Sequence, residues 1–241
     1  LSRVFQGIFN IHVQETLDSS FMLLALWKHE CMRVFSDKLV NKADKSWFRS
    51  ALDKVVESEW GAEPAAEVAE ESYFVDFMRE MPEDPETGEL LPAPKVYEPV
   101  VSLDALREVS HGYLDSFNSS FKLLATHLVF FDDALAHLMR ISRIFAMSRG
   151  SALLVGVGGS GKQSLTRLAA FICTAQLFQI TVTRTYKAIN LLEDFKPLYR
   201  RAGVLGKPTV FLFTDKEIKD EGFLEYVNIF LNTGELPNLF P

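Results

Sequence analysis

Residues Gly156, Val157, Gly158, Gly159, Ser160, Gly161 and Lys162 follow the spacing GxxxxGK. That spacing suits phosphate. Glycines let successive backbone N–H groups curl around an anion without side-chain clash. A helix opening at the lysine adds free N–H groups and a positive dipole end. Lys162 brings a mobile point charge for the β- and γ-phosphates. The pattern predicts a nucleotide ligand, ATP or ADP, accompanied by Mg²⁺. One position departs from it. The residue after the lysine is ordinarily Ser or Thr, whose hydroxyl holds the metal; here it is Gln163. An amide oxygen can ligate Mg²⁺ but sits on a longer stem. Ser164 is one residue on, rotated by about 100° around the helix. Gln163 and Ser164 are therefore the candidate metal ligands on this side.

Hydrolysis would also need an acidic pair at the end of a neighbouring strand. The segment Val210-Phe-Leu-Phe-Thr-Asp-Lys-Glu217 offers four apolar residues followed by Thr214-Asp215. Aligning the apolar strand puts Thr214 at the metal and Asp215 at the attacking water. Aspartate is one methylene shorter than the usual glutamate there. In a second register Asp215 serves the metal and Glu217 the water. Both registers stay open, and a charged turn with no catalytic part is the plain alternative. Other candidates carry less. His29-Glu30 is not a zinc motif, because position 33 is Arg. His12, His29, His111, His127 and His137 form no spacing cluster and read as ordinary surface or core histidines. Arg140 and Arg143 read as surface salt-bridge partners.

These residues need elements to position them. Ala152–Val155 reads as a short buried strand entering the glycine loop, with a helix from Lys162 to about Ile172 after it. Then come a strand (177–183), a helix (about 189–201, with Pro197 inside it to kink it or restart it), a strand (209–213) and a helix (about 221–232). Such alternation predicts parallel strands with crossover helices, an α/β sheet. The run before the loop, about Ser102 to Met147, reads as helical. Its clearest part has Leu135, Leu138, Ile141 and Phe145 on one face. Near the start, Leu17, Phe21, Leu24, Lys28, Cys31, Phe35 and Leu39 recur at helical steps, and Ser46 could cap a second helix carrying Trp47, Leu52, Val55, Val56 and Trp60. Between these parts, residues 53–98 hold 14 acidic residues against 3 basic, with Pro64, Pro82, Pro85, Pro92 and Pro94. That composition reads as a solvated linker. The expected organisation is a small helical unit over 1–60, an acidic Pro-rich linker over 61–98, and a phosphate-loop α/β part over 99–241.

Composition narrows the function classes. The chain has 241 residues, 48% hydrophobic and 24% charged, which excludes wholesale disorder. Its 2 cysteines cannot build a disulfide framework or a four-thiolate zinc site, so a reducing compartment is the simplest expectation. No apolar run approaches the roughly 20 residues of a bilayer span, so no membrane partner is expected. A net charge of −7 and no interleaving of basic and aromatic residues argue against nucleic acid as a partner. The chain begins at Leu1 and ends at Pro241 after an apparent loop. It is expected to be a fragment of something longer.

The stretch Arg143-Ile-Phe-Ala-Met-Ser-Arg-Gly-Ser-Ala-Leu-Leu-Val-Gly-Val-Gly-Gly-Ser-Gly-Lys-Gln-Ser-Leu-Thr-Arg-Leu-Ala169 strongly resembles the fourth AAA+ module of axonemal dynein heavy chains, outer-arm types above all. Phe178–Arg184, Leu192–Tyr199, Gly222–Asn228 and Gly234–Phe240 agree with it, and Leu26–Leu39 is similar to the helical lid of the third module. A glutamine after the loop lysine is unusual among P-loop proteins but familiar in this family. The resemblance covers nearly all of the chain except the acidic linker.

The resemblance implies a P-loop AAA+ parallel sheet with flanking helices, incomplete here, preceded by an all-helical lid. It implies that Leu128 and Val129, with Phe130, line an adenine pocket, and that Arg33 is the lid arginine facing the γ-phosphate in the third module's site. It further implies a ring of six modules in a microtubule motor of the cilium or flagellum axoneme, within the cytoplasm and cytoskeleton. The implied partners are the neighbouring AAA+ modules of the same chain. Through the full-length protein they extend to dynein intermediate and light chains and microtubules. The later strands, the sensor residue and the fourth module's own lid are expected to lie beyond this segment. Two functions stay open for it: a nucleotide-occupied clamp that relays nucleotide state without hydrolysis, which Gln163 and Thr214 favour, and a slow ATPase. An unrelated AAA+ ATPase is the third alternative.

Overall fold

The computed structural model describes residues 1–9, 19–68, 70, 72–80, 82, 84–88, 91 and 93–240. The chain divides into two compact units, 1–112 with 129–143, and 113–128 with 144–241. The helix Leu103–Ser120 contributes residues to both.

The first unit opens with helix α1 (Ser2–Phe9) and helix α2 (Ser20–Cys31), which runs into a π turn over Met32–Ser36. Ser19 caps α2, its hydroxyl accepting from Met22 N at 3.2 Å. Helix α3 spans Lys42–Trp60. Its cap is Asn41, whose Oδ1 accepts from Asp44 N at 2.7 Å, not Ser46, which lies inside the helix. Asn caps as well as Ser does, and the helix starts wherever the first orphan N–H groups find an acceptor. Leu17, one of the predicted apolar positions, lies outside the described residues.

The acidic stretch is not solvated throughout: its flanks carry buried residues, while the described residues from 82 to 91 are mostly exposed. After a short helix, α4 (Ala62–Glu67), strand β1 (Phe74–Val75) pairs antiparallel with strand β2 (Glu98–Pro99). Phe74, Val75, Phe77, Val96 and Tyr97 are buried. Average charge hid these apolar positions, and burying them outweighs the polarity of their neighbours. Leu26, Phe74 and Tyr97 form one cluster, and Val4, Cys31, Met32 and Leu52 form another. Helix α5 (Leu103–Ser120) and helix α6 (Asp132–Ala146) follow. The predicted continuous helical run is therefore broken between them.

Charge is buried in this unit. Arg143, read from sequence as a surface partner, instead pairs through Nε and an Nη with the fully buried carboxylate of Glu30 on α2. Tyr97 Oη donates to the same carboxylate at 2.9 Å. Arg140 pairs with Asp37 at 3.2 Å. Arg33 is buried and pairs with Asp37 at 3.3 Å.

His29 is a core histidine. Nδ1 lies 3.0 Å from Ser72 O and Nε2 3.0 Å from Tyr97 Oη. Burial first, then the Arg33 guanidinium, hold its pKa well below the usual histidine value. Histidine in the unfolded chain titrates near pH 6.5, so below that the unfolded state binds the extra proton. The stability this neutral ring contributes is intact above about pH 6.5 and is lost as pH falls from there toward the folded value. The loss is at most about 1.4 kcal/mol per pH unit. His137, also lowered by burial and then by Arg140, acts in the same direction. Urea denaturation at pH 7.5 and 5.5 should show the loss, and His29→Gln should shrink it. An identical pH slope in the variant would refute this origin.

The second unit holds the phosphate-loop grammar. Helix α7 spans Lys162–Ile172, as its pattern predicts. Strand β3 (Gln176–Phe178) pairs parallel with strand β4 (Thr209–Phe211), Leu177 opposite Val210. Between them helix α8 (Ala188–Tyr199) passes through Pro197 and ends in a π turn over Arg200–Val204. The missing proline N–H is a reason for the helix to lose its regular ladder there. Helix α9 (Gly222–Thr233) closes on Gly234. The core gathers Ile180, Leu191, Phe195, Leu198, Phe223, Leu236 and Leu239.

Of the predicted parallel sheet, the described residues show this β3–β4 pair. Residues 152–155, read as a buried strand, are not one: Leu153 is 90% and Val155 85% exposed. A strand exists through bonds to neighbours, and among the described residues none pairs with this segment.

Candidate nucleotide site

The glycine loop ends on α7. Gly159 and Gly161 have φ of 78° and 80°, the left-handed region that only glycine enters cheaply. Gly161 is the N-cap of α7 and, being glycine, offers no side chain to accept from the helix's first-turn N–H groups. Those donors, with the positive end of the dipole, are what an anion requires. The helix itself is anchored by Leu165, Leu168, Ala169 and Ile172 in the core. Lys162 Nζ sits at the centre of the loop, donating to Gly156 O at 2.7 Å, Val157 O at 2.8 Å and Ser160 Oγ at 3.2 Å. Gly158 has open space where a Cβ would stand. Leu128 places Cδ2 3.6 Å from the Cβ position of Gly161. Val129 belongs to the first unit and is 79% exposed.

The two candidate metal ligands on α7 differ. Gln163 is half-buried. The Ser164 hydroxyl accepts from Thr126 Oγ1 at 3.1 Å. Across the unit, Thr214 caps a 3-10 turn over Asp215–Glu217. Glu217 is buried, and its Oε2 accepts from Thr214 N at 2.6 Å and Thr214 Oγ1 at 2.5 Å. Its Oε1 accepts from Gln179 Nε2 at 2.9 Å. Gln179 Oε1 in turn accepts from Arg167 on α7 at 3.3 Å. The Glu217 carboxylate is thus committed to three donors, while Asp215 is exposed.

Sequence reasoning missed Asn118, Thr126, Arg167 and Gln179. Gln179 had a signal, a polar side chain inside an apolar run. Asn118 and Thr126 had none, because bonds across 8 and 38 positions leave no mark in local spacing. Among the described residues no group of three or more His, Cys, Asp and Glu is placed to hold a metal, and no helix is long and apolar enough to cross a membrane.

Residues 126–241 match the family described as P-loop containing dynein motor region D4, and residues 1–45 match the dynein heavy chain ATPase lid domain. The chain belongs to the dynein heavy-chain family. It is 51% identical over 245 residues to dynein axonemal heavy chain 5 of Mus musculus, an alignment covering 100% of this chain and 5% of that protein. It is 49% identical over 243 residues to dynein axonemal heavy chain 8 of Homo sapiens, covering 100% and 5%. It is 42% identical over 255 residues to the dynein gamma chain, flagellar outer arm, of Chlamydomonas reinhardtii, covering 99% and 6%. The chain thus spans a small part, 5–6%, of the length of these dyneins. Within it, the glycine loop and α7 fall in the D4 match, and α1 and α2 in the lid match.

Proposed function

We propose that this chain is a segment of an axonemal dynein motor ring: the third module's helical lid (1–60), an acidic segment (61–98) and most of the fourth module's α/β core (99–241). Its own task is to hold ATP or ADP as a regulatory clamp and to relay nucleotide state to neighbouring AAA+ modules. The whole heavy chain would act as a microtubule motor in the axoneme of a cilium or flagellum, with intermediate and light chains as partners. The observation that carries the binding reading is the left-handed glycine loop, with Lys162 at its centre and a helix whose N-cap is a glycine.

The phosphates would lie against the N–H groups of Gly156–Lys162 and the Lys162 ammonium, with Leu128 beside the loop. Mg²⁺ takes hard oxygen donors, and the unit offers them. Gln163 or Ser164 would hold it on the helix side and Thr214 or Asp215 opposite. The Thr214 hydroxyl gives its proton to Glu217, which leaves its lone pairs for a cation. The metal would supply charge neutralisation at the phosphates. Weak turnover is favoured by the Glu217 carboxylate, which three donors hold away from a base's role.

Calorimetric titration of the chain with ADP and with ATP, with Mg²⁺ present, tests this. Lys162→Ala removes a charge-assisted contact and should weaken binding about 10- to 100-fold. A folded parent that binds neither nucleotide, or a variant that binds as well as the parent, would refute the reading. ATP turnover that falls on Asp215→Asn would replace the clamp with the slow ATPase.

A further inference from the structure

We infer that Ser164 is not a metal ligand but the end of a positioning chain, Asn118–Thr126–Ser164, that braces the nucleotide site without metal. The inference rests on the nucleotide reading and adds the residues that hold the site in shape.

Three bonds make the chain, all within the second unit. The Asn118 amide grips one residue on both sides: Nδ2 donates to Thr126 O at 3.0 Å, and Oδ1 accepts from Thr126 N at 2.9 Å. Both backbone groups of Thr126 are thereby satisfied by a single side chain. The main chain cannot slide or turn there without losing both bonds. A β-branched threonine on a fixed main chain has little χ1 freedom. Its hydroxyl is aimed at Ser164 in the first turn of α7, where Oγ1 donates to Ser164 Oγ at 3.1 Å.

Asn118 is itself held. It sits in the last turn of α5, where Phe117 and Phe121 meet Phe171 of α7 with ring centroids 5.6 and 6.1 Å apart. The two helices are thus tied by aromatic contact at one point and by the hydroxyl pair at another. Two residues beyond Thr126, Leu128 rests beside Gly161, the left-handed N-cap of α7. The segment 126–128 is therefore pinned to the first helical turn at one end and to the loop's last glycine at the other.

A first-turn serine in a helix ordinarily turns back to bond its own backbone. Here it spends a lone pair on a neighbour. A cation on the second lone pair would draw charge from the same small oxygen and weaken its bond to Thr126. Gln163, with no such tie, is left as the ligand on the helix side.

ADP titrations of the full chain, with Mg²⁺ and in EDTA, test this. Thr126→Val and Ser164→Ala should each weaken ADP about 3- to 10-fold, equally with and without metal. The double variant should be no weaker than the worse single one, because both remove one bond. Thr126→Ser keeps the hydroxyl and should restore binding, which a loss of packing alone would not allow. If Ser164→Ala weakens binding only when Mg²⁺ is present and Thr126→Val changes nothing, Ser164 is the metal ligand and the inference falls. Binding that needs Lys162 yet ignores both substitutions also sinks it, leaving the nucleotide reading intact. No ADP binding by the parent would sink both.

Discussion

Replacing Arg143 by Met is expected to destabilise the chain by about 3–5 kcal/mol. The pair it makes with Glu30 is out of water: the side chains are 9% and 0% exposed. Arg143 Nε donates to both carboxylate oxygens, at 3.0 and 3.1 Å, and Tyr97 Oη donates at 2.9 Å. With the guanidinium gone, Glu30 is a buried charge facing one hydroxyl. It must take up a proton or open a path to water. Glu30→Met alone should cost a similar amount by stranding the cation. Glu30→Met with Arg143→Met should recover most of the loss, since two apolar groups of similar length desolvate cheaply. Urea denaturation of the three variants measures this. Singles costing less than about 1 kcal/mol would mean that the pair behaves as an exposed one.

That pair shows what a sequence hides. Glu30 and Arg143 lie 113 positions apart, and each on its own looks like an ordinary surface charge. Spacing carries no sign of it. The acidic stretch is a related case: Phe74, Phe77 and Tyr97 are buried in a segment whose average composition is that of a linker. Burial is decided residue by residue, so averaging over 46 positions, 53–98, erases the informative ones.

What was legible is local. The glycine loop announces itself because each glycine's backbone freedom is needed within a few residues of the next. Helix α7 follows for the same reason, and its predicted span is the observed one. The strands were legible in type but not in extent. Predicted spans 177–183 and 209–213 shrink to Gln176–Phe178 and Thr209–Phe211, where the two meet, and 152–155 has no strand beside it among the described residues. Glu217 was legible as an acid near a strand end. That its carboxylate both closes a cap on Thr214 and binds Gln179 depends on two segments, the turn itself and the chain at Gln179 38 positions away.

Gly7→Ala should act on the buried pair from the other side and cost about 2–4 kcal/mol. In a helix this substitution normally stabilises by roughly 0.5–1 kcal/mol, because glycine loses more backbone freedom on folding. Gly7 lies within α1 at a buried position. Its φ is not in the left-handed range, so no backbone strain enters. The obstacle is space: a Cβ there would fall inside the Glu30 carboxylate. An acid at the far end of a flexible side chain could step aside, but this one is held by Arg143 and Tyr97 in a site with no exposure. Making room means shifting α1 or breaking the charge network. Gly112→Ala in α5 is the matched control, since nothing lies within 4 Å of the added methyl. It should stabilise by the usual fraction of a kcal/mol. Opposite signs for one substitution at two helical sites would locate the cost in the carboxylate, and equal gains would show that α1 and Glu30 are not packed as described. Placing Gly7→Ala on a Glu30→Ala background removes the atoms that block the methyl. The added penalty of Gly7→Ala should largely disappear there; a penalty that persists would show that the cost does not come from the Glu30 carboxylate.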